Sequence, residues 1–202
     1  MELREILKQR RMVRQYTGEP VPRETLERIA ATVRRAPSGG FSQGHRLLIV
    51  TDDGLRRGIR ELFADYGYTD EWLGSASAFI VVGTREQDYH DRYNEPDKLA
   101  ATGGVEIEWP APYWFVDAGA AMMLLLLAAI DEGLAAGVFG VTVEKMAAFK
   151  QLLEIPADVH VVAVVTVGAP AERDGPSARS SRMKERRRPL DELVTWERWS
   201  SG

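Results

Sequence analysis

The most regular pattern in the chain is an apolar run over residues 118–130, in which no polar residue interrupts Ala, Gly, Met, Leu and Ile. A helix without a polar stripe must be covered on every side, inside a globule, at a subunit interface or in a membrane. A membrane-crossing helix needs about 20 apolar residues, and Asp117 and Asp131 close this run. The pattern therefore predicts a buried helix, with Asp117 as its N-cap and Gly133 or Gly137 at its end.

Other apolar positions follow either helical spacing or short continuous runs. Helical spacing predicts helices over residues 1–9, 22–35 and 143–153, and another that begins at Asp52-Asp53. Continuous apolar runs predict strands over residues 45–51, 77–84 and 159–167, with a short glycine-flanked segment at 136–141. Because helices separate the strands at irregular intervals, we expect an α+β fold with a mixed central sheet flanked by helices.

Two segments lack a regular pattern. Residues 85–115 are rich in charged and aromatic side chains, and we expect them to cross the surface as a lid. Residues 171–202 form a polar tail that we expect to be extended. No linker divides the chain, so a single domain over residues 1–202 is the prediction.

Composition narrows the classes of function. A net charge of −4 argues against general nucleic-acid binding, which needs a basic face. The absence of cysteine excludes disulfides, thiolate metal sites and cysteine nucleophiles, and the three histidines lack metal-ligand spacing, so no metal is expected. The charged amphipathic start of the chain carries no apolar signal region, so we expect a cytoplasmic protein that does not enter a membrane.

Two basic clusters stand far apart in the sequence. Arg10, Arg11 and Arg14 follow the first predicted helix, and Lys184 with residues 186–188 forms the second cluster in the tail. Guanidinium groups bind phosphate through paired hydrogen bonds, so both clusters could hold one dianion. Short runs of like charge are also common on solvated surfaces, and the residues alone leave both interpretations open.

Glycine-rich segments could bring backbone close to a ligand. The loop over residues 38–44 either approaches a flat ligand or is a plain surface loop. Gly137-Val138-Phe139-Gly140 either presses against a ligand or forms a tight bend. The aromatic residues over 109–115 either line a cleft or pack at a dimer interface. The residues alone thus indicate a soluble α+β domain with a candidate site for a phosphate-bearing aromatic ligand.

Three motifs, in this order, resemble the flavin-dependent (FMN) nitroreductase family. They are Arg10-Arg11-Met12-Val13-Arg14-Gln15-Tyr16, Ala36-Pro37-Ser38-Gly39-Gly40-Phe41-Ser42-Gln43 and Arg187-Arg188-Pro189-Leu190-Asp191-Glu192-Leu193-Val194. The apolar helix followed by residues 137–140 stands between the second and third motifs, as in that family. The resemblance implies a nitroreductase-like, FMN-binding homodimer with two sites at the subunit interface and the long central helix within that interface.

The resemblance also implies which residues hold the phosphate end of FMN. Arg10 and Arg14 would bind the phosphate with Arg187 and Arg186 from the tail. Arg11 and Met12 would line the phosphate and ribityl path partly through their backbone.

At the ring end, the resemblance implies two further groups of contacts. The loop residues Pro37, Ser38 and Gly39 would meet the flavin from the other subunit, with Gln43 closing the loop. Val138, Phe139 and Gly140 would lie beside the ring, with the Gly140 backbone N–H facing the reactive N5 edge. Such a donor could stabilise charge as the flavin is reduced, and no side-chain nucleophile is needed.

The chain departs from the family pattern at two places. Phe41 replaces a common Asn, and Gly44-His45 replaces Pro-Trp, which changes the expected flavin contacts. Phe139 replaces an acidic residue found beside the N5 glycine in many members, and we expect it to make the pocket more apolar.

The implied activity is an FMN-dependent oxidoreductase. Reduced nicotinamide, NAD(P)H, would donate hydride to flavin N5, and a small aromatic electron acceptor such as a nitroaromatic or quinone would then take the electrons. The alternatives are a specialised enzyme of the same fold (a dehalogenase, a flavin-fragmenting or a deazaflavin-linked enzyme), a non-catalytic flavin-binding protein, and an interaction protein with a basic tail. A charge at Leu125 is expected to disrupt both the dimer and cofactor binding.

Overall fold

The computed structural model describes residues 1–67, 70–171 and 186–199. The chain divides into two compact units, Met1–Ala171 and Glu172–Gly202. All strands described below belong to the first unit. In the second unit the described residues include one short helix, Leu190–Leu193, and most of the tail predicted to be extended lies outside the described residues.

The helices of the first unit are α1 (Leu3–Gln9), α2 (Arg23–Ala31), α3 (Asp53–Leu62), α4 (Gln87–Tyr93), α5 (Pro96–Ala101), α6 (Tyr113–Asp131) and α7 (Val143–Leu152). The strands are β1 (His45–Val50), β2 (Ala78–Thr84), β3 (Ala135–Phe139) and β4 (His160–Gly168). Helix α3 begins as predicted, because the Asp52 carboxylate accepts the Leu55 N–H at 2.8 Å.

The sheet has the strand order β1-β2-β4-β3, and every described pairing is antiparallel. The α+β class is confirmed, but the strand directions differ from the mixed sheet that we expected. The reason lies in the crossover through α4, α5 and α6, which makes β2 and β3 run in the same direction. Strand β4 then inserts between these two strands and runs opposite to both, so no parallel neighbours form among the described strands.

Helix α6 is longer than predicted, and its N-cap prediction is wrong. The helix begins at Tyr113, after Pro112, so Asp117 lies one turn inside it and cannot cap it. Its predicted end is confirmed at Gly133, which has a φ of +75°. The Gly133 N–H donates to Ile130 O at 2.9 Å and the Leu134 N–H to Ala129 O at 2.8 Å, the pairing of a glycine-terminated helix.

Helix α6 packs along one face of the sheet with α2, while α3 and α7 cover the other face. Leu125 is 0% exposed within its own chain, whereas Val116 and Met123 are 58% and 43% exposed. By length and composition alone α6 could cross a membrane, a test that core helices of soluble proteins also pass. The uncovered apolar side chains are therefore confined to part of the helix, and Leu125 is not among them.

Residues 85–112 are more regular than the predicted surface excursion. They contain helices α4 and α5, and residues 113–115 belong to α6. The reason is that α4 carries mainly charged and aromatic side chains and α5 is only six residues long, so apolar spacing did not reveal them. Tyr89 of α4 is fully buried.

Candidate cofactor site

The N-terminal segment over residues 10–16 runs beside the open edge of β3. The Val13 N–H donates to Ala136 O at 2.9 Å, and Tyr16 forms an antiparallel bridge with Pro170. The Ala171 N–H donates to Gln15 O at 3.3 Å. Two of the three predicted contact groups, the arginine segment and the segment ending at Gly140, therefore lie side by side although they are far apart in the sequence.

Gly137 makes this close approach possible. An added Cβ would lie 2.3 Å from the Val13 carbonyl oxygen and 3.0 Å from Thr166 Oγ1. The bend offered for residues 137–140 is wrong, because Gly137 to Phe139 belong to strand β3, whereas contact of this segment with a ligand stays a prediction. The tight contact at Gly137 is with the protein's own chain, since the N-terminal segment hydrogen bonds to the strand there.

Gly140, just beyond the end of β3, has the opposite environment. It is exposed, and an added Cβ would find nothing within 4 Å. Its backbone is open to approach by a ligand. The two glycines therefore differ in role. Gly137 lets the N-terminal segment pack against β3, and Gly140 leaves an open surface just beyond the end of that strand.

A buried network around Tyr16 holds the arginine segment in place. Tyr16 Oη lies 2.7 Å from Thr166 Oγ1 and 3.1 Å from Val13 O. The Trp72 indole N–H donates to the same Thr166 Oγ1 at 3.2 Å. Burial raises the pKa of Tyr16 to about 12, so its hydroxyl remains a donor at neutral pH. This role of Tyr16 was missed, although a lone aromatic residue in a polar segment was a usable signal.

The arginine side chains of this segment differ in exposure. Arg14 is half-buried, and its guanidinium carbon lies 4.7 Å from the centroid of the Trp72 ring, a cation–π contact. Arg10 is half-buried, while Arg11 and Met12 are exposed. Of the three arginines, Arg11 therefore presents its positive charge most openly at the surface, in the segment that borders β3.

The tail residues belong to the second unit. Arg186 and Arg187 are exposed, and Lys184 lies outside the described residues. Their contribution to a phosphate site stays a prediction.

The Phe139 side chain is part of the core. Its ring centroid lies 5.2 Å from that of Phe63, 6.0 Å from that of Trp72 and 6.3 Å from that of Phe79. Successive side chains of a strand point to opposite faces of the sheet, and Val138 is half-buried on the other face. Phe139 can therefore contribute backbone to a surface site, whereas its ring is already packed inside.

The predicted loop over residues 36–44 contains one short 3-10 turn, Gly39–Phe41, is otherwise irregular as predicted, and is closely hydrogen bonded. Ser42 Oγ donates to Gly39 O at 2.6 Å, and the Gln43 N–H donates to Ser38 Oγ at 3.0 Å. Ser38 and Gly39 are half-buried, whereas Pro37 and Gln43 are exposed. The loop thus presents a fixed backbone at the surface.

The structure shows the surroundings of the two loop residues that depart from the family pattern, Phe41 and Gly44. Phe41 has a φ of +63° and is 70% exposed. Gly44 is buried, and an added Cβ there would lie 2.5 Å from the Tyr89 ring and 2.8 Å from Arg85 O. Tyr89 therefore takes the space that a larger residue at position 44 would need.

The loop and the arginine segment lie at opposite edges of the sheet. The loop leads directly into β1, and the arginine segment borders β3. Neighbouring strands are about 4.8 Å apart, so the three spacings between β1 and β3 amount to about 14 Å. Within one chain these two groups of predicted contacts do not meet.

Helix α4 and the residues that follow it pack against the loop. Arg92 Nε donates to Gly40 O at 2.9 Å, and the Lys98 ammonium lies 4.8 Å from the centroid of the Tyr93 ring. The Tyr93 and Trp109 ring centroids are 4.6 Å apart. The segment predicted as a lid is thus attached to the loop predicted to meet the flavin.

A polar cluster beneath this loop was missed by sequence reasoning. The Asp117 carboxylate accepts hydrogen bonds from the Gly39 N–H at 2.8 Å and from the Tyr89 hydroxyl at 2.7 Å. Burial is the largest cause that raises the pKa of Tyr89, and burial lowers the pKa of His45 nearby. A carboxylate inside an apolar helix was the available signal, but it was interpreted as a cap.

Comparison with known proteins places the chain in a family. The model of the Nitroreductase family matches residues 7–169. A protein of Archaeoglobus fulgidus named as a NADH dehydrogenase/NAD(P)H nitroreductase is 31% identical over 81% of this chain and 82% of its own length. The FMN reductase [NAD(P)H] of Bacillus subtilis is 28% identical over 84% of this chain and 66% of its own length.

Solved structures agree with these sequence matches. The crystal structure of a protein from Desulfovibrio desulfuricans, named as a nitroreductase in complex with FMN, superimposes with a TM-score of 0.71. It is 26% identical and covers 99% of both chains. Because the family model matches most of the sequence and the fold matches over nearly its whole length, this chain belongs to the nitroreductase family.

Proposed function

We propose that this protein is an FMN-dependent oxidoreductase that takes hydride from NAD(P)H and passes electrons to an electron-poor acceptor such as a nitroaromatic or a quinone. Family membership and relatives named as NAD(P)H nitroreductase and FMN reductase support this class of reaction. The observation that carries the proposal is the arginine segment held against β3, the strand that leads to the open backbone of Gly140.

The residues present fit a ligand with an anionic end and a flat ring. Arg10 and Arg11 supply positive charge at the surface, and Gly140 leaves room for close approach of a ring to its backbone. The residues proposed to hold FMN are Arg10, Arg11, Met12, Arg14, Pro37, Ser38, Gly39, Gln43, Val138, Phe139, Gly140, Arg186 and Arg187.

The chemistry is divided between cofactor and protein. Bound FMN supplies the hydride-accepting and hydride-donating centre. The arginines would neutralise the phosphate, and the Gly140 N–H would supply a hydrogen-bond donor to the part of the ring where negative charge develops. No side-chain nucleophile is needed, so the contribution of the protein is binding, orientation and electrostatics.

A homodimer would complete the site. The separation of about 14 Å between the two sheet edges supports a site in which the loop of one subunit meets the arginine segment of the other. The exposed Val116 and Met123 on α6 support an interface along that helix. We further propose that the enzyme works in the cytoplasm.

The absorption spectrum of the purified protein tests cofactor binding. We expect a yellow protein, or a colourless one that becomes yellow when FMN is added. An Arg187→Gln variant should bind FMN less tightly, whereas Arg57→Gln, an exposed arginine on α3, should bind it normally. A wild-type protein that takes up no FMN would end the proposal.

Rapid mixing with NADH and NADPH tests turnover. We expect the flavin absorbance to bleach and to return when a nitroaromatic or a quinone is added. Bound flavin that neither nicotinamide bleaches would instead favour a flavin-binding protein without this activity, or an enzyme with a deazaflavin reductant. Adding a halogenated phenol to the acceptor panel separates the general reductase from a dehalogenase.

A further inference from the structure

Asp117 is an unusual buried group. Its side chain lies inside the apolar helix α6 and the residue is 8% exposed. Its hydrogen bonds come from two neutral donors, and within the described part of the chain no Lys or Arg forms an ion pair with it. Burying a carboxylate without a cation is unfavourable for stability. A contribution to stability alone is therefore a poor explanation for a buried carboxylate at position 117.

The partners of Asp117 indicate what it does. One donor is the backbone N–H of Gly39, at the point where the loop turns. The carbonyl of the same residue accepts Ser42 Oγ at 2.6 Å. Gly39 is thus hydrogen bonded through both its N–H and its C=O, and the N–H bond connects the loop to the most buried helix of the fold.

The Tyr89 hydroxyl is the second donor to the carboxylate, and the Tyr89 ring supports the loop from below. Its hydroxyl donates to the same Asp117 oxygen at 2.7 Å. Its ring lies next to the loop, 3.7 Å from the position of an added Cβ on Gly39 and 2.5 Å from one on Gly44. Asp117, Tyr89 and the loop therefore form one connected unit of α6, α4 and the turn.

We propose that Asp117 is a positioning residue, which fixes the Ser38–Gly39 backbone in the conformation that binds the flavin held by the neighbouring subunit. The inference rests on the proposed function. Asp117 acts through Gly39 and does not touch the cofactor. By fixing the loop before the cofactor arrives, it lowers the entropy that binding would otherwise lose.

Three variants separate positioning from general stability. Asp117→Ala leaves the Gly39 N–H without a partner, and we expect FMN to bind about tenfold or more weakly. Asp117→Asn retains an oxygen that can accept the Gly39 N–H, so it should recover most of that affinity. Tyr89→Phe is the matched control, because it removes one hydrogen bond of the same carboxylate but keeps the ring and the bond to Gly39. Its FMN affinity should stay close to that of the wild type.

The readouts are the FMN dissociation constant and the melting temperature of the cofactor-free protein. Positioning predicts that Asp117→Ala and Tyr89→Phe both lower the melting temperature while only Asp117→Ala weakens FMN binding strongly. Equal FMN affinity in Asp117→Ala and the wild type would overturn the inference. So would an equal loss of affinity in Tyr89→Phe, because that result assigns the effect to stability.

Amide hydrogen exchange keeps the inference testable if Asp117→Ala does not fold. The Gly39 amide of the cofactor-free wild type should exchange slowly, and an amide that exchanges like that of an unstructured glycine would overturn positioning. A wild-type protein that binds no FMN would overturn the proposed function and this inference together. A wild type that binds FMN, with an Asp117→Ala variant that binds it equally well, would overturn this inference alone.

Discussion

Replacing Gly137 with alanine should push the N-terminal segment away from β3 and weaken its attachment to the sheet. An added Cβ would lie 2.3 Å from Val13 O, 3.0 Å from Thr166 Oγ1 and 3.3 Å from Tyr16 Oη. Non-bonded carbon and oxygen atoms normally lie about 3.3–3.6 Å apart, so the Val13 backbone would have to move by roughly 1 Å. That movement weakens the hydrogen bond between the Val13 N–H and Ala136 O.

The size of the effect follows from these two changes. Inserting a methyl group into a packed site costs about 1–3 kcal/mol, and losing the hydrogen bond adds about 1 kcal/mol. We therefore expect Gly137→Ala to lower the free energy of unfolding by about 2–4 kcal/mol. For a protein of this size the melting temperature should fall by roughly 4–16 °C. FMN affinity should fall as well, because Arg10 and Arg14 move with the segment.

Thermal unfolding followed by circular dichroism, with fluorescence titration of FMN, measures both effects. Gly140→Ala is the matched control, since an added Cβ there meets nothing within 4 Å. It should leave the melting temperature of the cofactor-free protein unchanged and weaken FMN binding, because the methyl group occupies the approach to the backbone. A Gly137→Ala protein as stable as the wild type would refute the reasoning about this contact.

Three further predictions concern other parts of the chain. Tyr16→Phe removes the buried hydroxyl beside Thr166 and should lower the free energy of unfolding by about 1–2 kcal/mol in chemical denaturation. The hydrogen bond to Glu106 raises the pKa of His90 in the folded protein. The stabilisation from protonated His90 should therefore be complete below about pH 6.5, the ordinary pKa of histidine, and should disappear as the pH rises through the raised pKa of the folded state. Melting temperatures across this range should show the loss in the wild type and not in His90→Gln. Met123→Glu should yield a folded monomer with little FMN by light scattering and absorbance, and a yellow, active monomer would contradict the proposed interface.

The choice of Met123 shows what the apolar pattern of α6 could and could not reveal. The pattern correctly predicts a buried helix, but an apolar residue looks the same whether its own sheet or a second subunit covers it. Leu125, the residue first expected to report on the dimer, is 0% exposed within one chain. A charge there would disrupt the core of the monomer, so its effect on the dimer could not be separated.

Sequence motifs located the contact groups but not their spatial arrangement. The sequence identified the arginine segment and Gly140, but it did not reveal the pairing of Val13 with Ala136, which holds that segment against the strand leading to Gly140. Strand order depends on which edges pair, and periodicity carries no information about the insertion of β4 between β2 and β3. The interpretation of Asp117 as a cap failed for a similar reason, since its partners Gly39 and Tyr89 are distant in sequence.

The pairing of the N-terminal segment with β3 and the end of β4 has a consequence for biosynthesis. The Val13 N–H bonds to Ala136, the Thr17 N–H to Ala169, and the Ala171 N–H to Gln15. The segment that carries Arg10 and Arg14 therefore lacks part of its hydrogen-bond partners until about residue 171 has emerged. Contacts between such distant residues form late in folding. A nascent chain stalled before β4 would thus expose Arg10 and Arg14 on an unfixed segment, and cofactor capture would have to follow the completion of nearly the whole first unit.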